Sequence, residues 1–192
     1  MPNWCNNELV LEHDDAEMLL RAEGAFNKGK LLQEFLPCPR PLVETDSVSY
    51  PDKPQDKDTQ VMAERQTALE AINMKHYGFK TWYDWRLTNW GIKWDIGGEE
   101  HGCGELVGNR LNLSFESPWG PPTHAYPKLE ALGFKVEAYY YEEGMGFCGQ
   151  YVDGKDECFN IPETREEIEK EIPEKLDDIF GISENYGLLR GE

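Results

Sequence analysis

The stretch Trp82-Tyr-Asp-Trp85-Arg-Leu-Thr-Asn-Trp90-Gly-Ile-Lys-Trp94 contains four of the six tryptophans and a change of periodicity. Its first nine residues have helical spacing, and Gly91 is a typical residue for the end of a helix. Residues 92–96 alternate apolar and polar side chains, which predicts a strand. Both spacings direct Trp82, Trp85 and Trp94 toward a core. The alternative is that these rings stay exposed as anchors for a partner.

Before this stretch, the sequence predicts a strand, a helix and a polar insertion. Residues 4–12 alternate as a strand does, and residues 15–26 carry an apolar stripe behind a capping aspartate. Residues 43–59 contain few large apolar side chains and are expected to form a mobile surface insertion. A helix is predicted over 60–76. Its in-register positions are Val61, Arg65, Ala68, Leu69 and Ile72.

After the tryptophan-rich stretch, a glycine-rich turn at 97–104 is predicted to lead into a strand over 111–116, in which Asn112, Ser114 and Glu116 are the polar positions. A proline-rich loop, a helix ending at Gly133 and a strand over 134–142 follow. The pattern then predicts a hairpin back into 147–152. A capping box at Thr164 begins a final helix, in which Pro173 marks a kink or a restart.

Without the insertion, the element order is βαββαβ plus one edge strand. This order predicts an α+β fold of the ferredoxin-like type, with a split βαβ antiparallel sheet and helices on one face. The domain is expected to cover residues 1–160 and to contain a flexible and helical insertion at about 43–80. An acidic helical extension is expected over 161–192, packed on the domain.

The formal net charge of −18 over 192 residues limits the possible partners. The acidic excess is spread along the chain, so it disfavours binding to phosphate backbones and favours a basic partner. The alternative is that the charge only maintains solubility. Five widely spaced cysteines predict free thiols in a reducing compartment. The sequence has no segment typical of a signal peptide or a membrane span.

Four segments carry a resemblance to a known family: residues 1–7, 82–97, 115–122 and 139–147. Together they resemble the phage- and plasmid-encoded YubB-like proteins, over most of residues 1–154. The resemblance implies a ferredoxin-like domain, a mobile genetic element and a bacterial cytoplasm. It implies no activity, because that family has no established biochemical function. The sequence lacks iron–sulfur cysteine spacing, so the fold name concerns topology alone.

Three chemical functions can be weighed against these observations. A metal site could use His101 and Cys103 together with Cys148 or Cys158, but zinc sites normally have paired ligands at short spacing. Cys148, between glycines on a predicted hairpin, is the most accessible candidate nucleophile, although no local motif supports it. Aromatic residues on such a sheet can stack nucleic-acid bases, but basic residues are not interleaved with them here.

These observations favour a non-enzymatic acidic binding protein of a mobile genetic element. Its expected partner is a basic, nucleic-acid-binding host protein, which makes a counter-defence role as a DNA mimic a hypothesis. No catalytic residue, metal ligand or cofactor is predicted. The alternatives are a thiol- or metal-dependent enzyme and an RNA- or DNA-binding module. The predicted binding residues are Trp119, Tyr139, Tyr141, Glu142 and Glu143.

Overall fold

The computed structural model describes residues 3–48, 50 and 56–189. Its centre is a sheet of six strands, and each neighbouring pair runs antiparallel in the order β2-β3-β1-β4-β5-β6. The strands are β1 (Trp4–Glu12), β2 (Gly102–Val107), β3 (Arg110–Pro118), β4 (Lys135–Glu142), β5 (Phe147–Val152) and β6 (Lys155–Asn160).

The helices connect and cover these strands. They are α1 (Ala16–Phe26), α2 (Leu31–Phe35), α3 (Arg40–Val43), α4 (Lys57–Tyr77), α5 (Trp82–Trp90), α6 (Tyr126–Glu130), α7 (Arg165–Glu171), α8 (Glu174–Phe180) and α9 (Ile182–Leu189). Pro173 separates α7 from α8, which agrees with the predicted restart of the final helix at this residue. In the described part of the chain, no helix has the length and apolar content needed to cross a membrane.

The order of the first four strands, β2-β3-β1-β4, is that of two interlocked split βαβ units. Helices lead from β1 to β2, and α6 leads from β3 to β4. The predicted α+β, ferredoxin-like arrangement is confirmed. The predicted strand β5 extends the sheet beyond β4, and β6, which was not predicted, extends it further.

The main core lies on the sheet face that α1 and α6 cover. Alternation directs Leu9 and Leu11 of β1 and the apolar residues of β3 into it. Phe26 of α1 and Leu129 of α6 pack there and are almost fully buried. This face therefore contains most of the apolar area that stabilises the domain.

A second core lies on the opposite face, above β4, β5 and β6. There α7, α8 and α9 cover Tyr139, Tyr141 and Cys148 with aliphatic side chains. The aliphatic contributors are Ile168, Ile172, Leu176 and Ile182. The part of this face over β1, β2 and β3 contains no residue of either core, and its side chains are largely polar.

The prediction of a strand over 92–96 is wrong. This segment passes the first turn of α2 as irregular backbone. Asp95 turns its carboxylate to the first turn of α2, where it accepts hydrogen bonds from the backbone N–H groups of Leu32 (2.7 Å) and Gln33 (2.8 Å). Gly97 follows with a φ of 93°, and an added Cβ would lie 2.2 Å from the carbonyl oxygen of Phe26. The chain is thus held against α1 and α2 rather than in the sheet.

The strand that replaces it, β2, begins inside the predicted glycine-rich turn. At Gly102 a Cβ would lie 2.8 Å from Cζ of Phe26, so only glycine allows this strand to pass so close beneath the ring. Residues 102–104 of the predicted turn are therefore strand residues, while residues 97–101 remain outside the sheet.

The tryptophans of the opening stretch differ in their surroundings. Trp90 is fully buried and donates its indole N–H to the carbonyl oxygen of Leu36 at 2.9 Å. Trp82 and Trp85 are half-buried against the main core, in line with their predicted orientation. Trp94 is 41% exposed, so its predicted place in the core is wrong. The turn at Asp95 that removes this segment from the sheet also removes Trp94 from the core.

The predicted insertion at 43–59 overlaps the residues that the structure leaves out, since 49 and 51–55 lie outside the described part. Within the described part, Asp56 caps α4 by accepting a hydrogen bond from the N–H of Thr59 at 2.8 Å. The helix predicted over 60–76 therefore begins earlier, at Lys57, and ends at Tyr77 before a left-handed Gly78.

Candidate functional site

A groove lies on the polar half of the second sheet face, between the loop that precedes β2 and the segment that leads to α7. It consists of two adjoining hollows of about 620 and 350 Å³, which share Asn6 of β1 and Glu116 of β3. Trp4, Tyr141, Glu143 and Pro162 belong to the larger hollow, and Glu8, Glu99, His101 and Cys103 belong to the smaller one. We call this feature the sheet groove.

Strand alternation explains why polar residues form the floor of the sheet groove. On β1 and β3 the odd positions enter the main core, so the even positions Asn6, Glu8, Ser114 and Glu116 face the groove. The Ser114 hydroxyl donates a hydrogen bond to Oε2 of Glu8 at 2.6 Å, across the two strands. The floor is therefore polar and partly pre-ordered.

The sheet groove has one sign of charge. Its lining includes six glutamates, whereas no lysine or arginine occurs among the described residues that line it. These glutamates are Glu8, Glu99, Glu100, Glu116, Glu142 and Glu143. A concave surface lined by one sign of charge concentrates the field and attracts ligands of opposite charge.

The rings of Trp4 and His101 form one wall of the sheet groove. Trp4 stacks on His101 with ring centroids 5.5 Å apart and an interplanar angle of 23°, and its other neighbour, Trp94, lies at 6.1 Å. The Nζ atom of Lys93 already lies 4.1 Å from the centroid of Trp94. Trp94, which adjoins Trp4, therefore already makes a cation–π contact within the chain.

The five predicted binding residues lie at or near the same end of the sheet, but only two are accessible. Trp119 is 51% exposed, and its backbone N–H donates to the carbonyl oxygen of Asn3, a groove residue, at 2.9 Å. Glu143 is exposed at the groove rim. Tyr139, Tyr141 and Glu142 are buried.

These three residues are therefore not openly exposed, although Tyr141 and Glu142 line the larger hollow, and their role in binding stays a prediction. The helices α7–α9 cover both tyrosines, and Lys175 of α8 donates a hydrogen bond to the hydroxyl of Tyr139. Glu142 turns inward and accepts a hydrogen bond from the N–H of Gly144 at 3.1 Å, which orders the turn after β4. Burial also raises the pKa of Tyr141 to about 12.

The predicted cysteine chemistry has no favourable setting at Cys148. This residue is fully buried beneath α7–α9, not accessible, and burial raises the pKa of its thiol to about 12. Cys103 lies at the sheet groove and Cys158 on β6, and both are exposed. Among the described residues, no three histidine, cysteine, aspartate or glutamate side chains are grouped as a metal ion would require.

Several groove residues were not predicted as site residues. Glu116 and Ser114 were recognised only as the polar positions of a strand, and Trp4 only as the start of one. The alternation of β1 and β3 could have identified them, because two adjacent antiparallel strands place their polar positions side by side. The contributions of Glu99 and Glu100 depend on where β2 begins, which the sequence did not indicate.

A larger hollow, of about 1140 Å³, lies between α4 and the start of α5. Its lining combines acids with Lys80, whose Nζ lies 3.6 Å from a carboxylate oxygen of Glu70. This hollow therefore lacks the single sign of charge that distinguishes the sheet groove.

Fold and groove together define an α+β protein of the ferredoxin-like type with an open, acidic sheet surface. No family model matches the chain, and no curated protein matches it. A solved structure that resembles it is protein api92 from Yersinia pseudotuberculosis, assigned to the family model DUF1281. The two are 13% identical with a TM-score of 0.44, over 84% of this chain and 99% of that one.

Proposed function

We propose that this protein is a non-enzymatic binding protein whose sheet groove binds a basic segment of a protein partner. The observation that carries the proposal is the lining of six glutamates without a lysine or arginine among its described residues. A partner rich in arginine or lysine gains from this field both in encounter rate and in affinity.

The aromatic wall supports a basic protein segment over other cations. Arginine side chains stack on aromatic faces and pair with carboxylates through a planar set of donors. The groove offers both kinds of contact within one concavity, since Trp4 and His101 adjoin Glu99 and Glu116. A nucleic acid would instead bring its phosphates toward these carboxylates, which costs free energy.

The resemblance to phage- and plasmid-encoded YubB-like proteins supports a wider role. In this proposal the protein acts in the cytoplasm of a bacterial host and binds a basic, nucleic-acid-binding host protein. By occupying the nucleic-acid site of that partner, it would mimic DNA and inhibit a defence system. The distributed charge of −18 is consistent with such mimicry.

The test uses a 15-residue arginine-rich peptide as the probe and follows the indole N–H signals of the ¹⁵N-labelled protein. We expect the signals of Trp4 and Trp94 to shift, while that of the buried Trp90 stays in place. Neutralisation of the groove by Glu99→Gln, Glu100→Gln and Glu116→Gln should weaken binding about tenfold, since each exposed charge contributes a fraction of a kcal/mol.

A matched triple variant separates the groove from the overall charge. Glu166→Gln, Glu171→Gln and Asp178→Asn make the same change on the exposed surface of α7 and α8, and should change the affinity less than twofold. Equal weakening by both triples would contradict a groove site. Shifts of the Trp4 signal with a single-stranded oligonucleotide, but not with the peptide, would favour a nucleic-acid module instead.

A further inference from the structure

Strand β2 forms an edge of the sheet, and one side of its backbone is unpaired. Its only neighbour in the strand order is β3. Among the described residues, none outside β3 forms a backbone hydrogen bond with residues 102–107. Four of the six residues of β2 are exposed, and the other two are half-buried. An edge of this kind presents donors and acceptors that another extended chain can satisfy.

The hydrogen-bond pattern identifies the free groups of this edge. The N–H of Glu116 donates to the carbonyl oxygen of His101, the residue directly opposite it, at 3.1 Å. Bonded and non-bonded pairs alternate along an antiparallel ladder, so the odd-numbered residues of β2 bond to β3. The N–H and C=O groups of Gly102, Gly104 and Leu106 therefore point away from the sheet.

The opposite edge of the sheet, β6, has features that discourage pairing with another chain. It begins with Lys155 and continues with Asp156 and Glu157, so half of its residues are charged. In β2 the one charged residue is Glu105, and the strand contains no lysine or proline. Natural edge strands use charged side chains, lysine above all, and proline against association. The edge of β2 therefore lacks the protection that β6 has.

The side chains beside the edge select the chemistry of a strand that pairs with it. The odd positions of β2 face the same side of the sheet as the sheet groove, and Cys103 lines its smaller hollow. Glu99 and Glu100 line that hollow too, and Glu105 is the next exposed residue on this face. A second copy of the chain, with its net charge of −18, would add like charges here. An extended segment rich in arginine or lysine adds the opposite charge.

We propose that an extended basic segment of the partner pairs with β2 in the antiparallel direction and adds a seventh strand to the sheet. This inference rests on the proposed function, because the segment is the one that the sheet groove binds. Residues opposite Cys103 and Glu105 lie on the groove face and are arginine or lysine. Residues opposite Gly102, Gly104 and Leu106 exchange backbone hydrogen bonds with them. The main-chain bonds supply affinity, and the alternate side chains supply selectivity.

The first test measures the Kd of a blocked peptide of alternating threonine and arginine, about nine residues long, from the shift of the Trp4 indole signal. In the proposed pairing the threonine N–H groups face β2, and the arginine N–H groups face solvent. Backbone N-methylation at the threonines should therefore raise the Kd about tenfold or more, because it removes these donors. N-methylation at the arginines is the matched control and should change the Kd less than twofold.

The outcomes separate this inference from the proposed function. Equal Kd values for the two methylated peptides would overturn strand addition and leave binding in the sheet groove intact. Greater weakening by methylation at the arginines would indicate a parallel strand, or arginines on the other face of the sheet, and would also overturn the proposal. If the unmodified peptide does not shift the Trp4 signal, both the inference and the proposed function fail.

The second test follows amide hydrogen exchange of the ¹⁵N-labelled full chain with and without the unmodified peptide. The N–H groups of Gly104 and Leu106 should exchange about 100-fold more slowly when the free peptide is at about 100 times its Kd. Asp156 and Cys158 are the controls, because the same alternation points their N–H groups outward on β6, and their exchange should change less than twofold.

Protection of both edges, or of neither, would overturn the proposal. Protection of Gly104 that rises with the concentration of the chain alone would show that a second copy occupies the edge, which also contradicts a basic partner strand.

Discussion

Trp119 has a φ of 70°, a left-handed backbone conformation that is unfavourable for a side chain of this size. Its N–H bond to Asn3 ties the end of β3 to the start of β1, which keeps the chain in that conformation. Such strain at a half-exposed ring beside the sheet groove is typical of residues retained for binding rather than for stability.

Two substitutions separate the backbone strain from the ring. Both Trp119→Gly and Trp119→Ala remove the indole, but only glycine adopts the left-handed conformation freely. The free energy of unfolding should therefore be about 1 kcal/mol higher for the glycine variant than for the alanine variant. Urea titrations of the two variants measure this difference. A more stable alanine variant would show that the strain is absent.

Asp95 has a structural role that the sequence did not indicate, because the residue occupies a polar position of an alternating segment. Its carboxylate accepts hydrogen bonds from the backbone N–H groups of Leu32, Gln33 and Ile96. Burial raises its pKa, and these three hydrogen bonds act in the opposite direction. The charged form is thus held by donors from two separate segments.

Removal of this carboxylate should be costly. Asp95→Ala leaves the N–H groups at the start of α2 without acceptors, and we expect the free energy of unfolding to fall by about 3 kcal/mol. Asp95→Asn retains one acceptor oxygen and should cost about half as much. Thermal and urea unfolding of both variants provide the measurement. An alanine variant more stable than the asparagine variant would contradict this structural role of Asp95.

At the scale of elements, the C-terminal helices α7–α9 are a cover over half of one sheet face. Leu176 of α8 is fully buried in the second core, next to Tyr139 and Cys148. None of the described side chains of this cover belongs to the main core. The two cores can therefore lose stability separately.

Leu176→Ala should loosen this cover without unfolding the main core. The cavity costs about 3 kcal/mol, so local opening above Cys148 should become roughly 100-fold more frequent. Site-resolved thiol labelling by mass spectrometry should show faster modification of Cys148, while Cys38 in the main core reacts as before. Parallel acceleration of both cysteines would mean that the molecule unfolds as one unit.

Elements with a clear period could be predicted from the sequence, and those defined by distant contacts could not. The strands β1, β3, β4 and β5 alternate strongly, and α1 carries its own cap at Asp15, so local signals sufficed. The segment 92–96 alternates too, yet Asp95 binds α2, more than 60 positions away along the chain. Gly102 belongs to a strand because Phe26 requires the space above it.

The candidate site shows the same division. Glu143 and Trp119 were predicted from composition and loop chemistry, and both are exposed. Tyr139 and Tyr141 alternate like surface residues of an open sheet, and only the placement of α7–α9 covers them. The stacking of Trp4 on His101 joins residues almost a hundred positions apart in the sequence, so no local pattern could have predicted it.

For the whole molecule, the net charge of −18 opposes folding through self-repulsion. Added salt screens this repulsion, since the Debye length falls from about 30 Å at 10 mM to about 8 Å at 150 mM. We expect NaCl to raise Tm by several degrees over this range at pH 7. Near the isoelectric point of about 4.6, the same addition should have little effect. A Tm that falls with salt at pH 7 would contradict net repulsion.

The position of β1 in the sheet has a consequence for how the chain folds. Both of its neighbours are distant in sequence, since β3 begins at Arg110 and β4 at Lys135. During synthesis β1 cannot pair until about a hundred further residues have emerged from the ribosome. Its apolar side stays exposed until then. Folding dominated by such long-range pairing is slow and vulnerable to aggregation. The acidic residues along the chain then protect the nascent protein well before there is a groove for any partner.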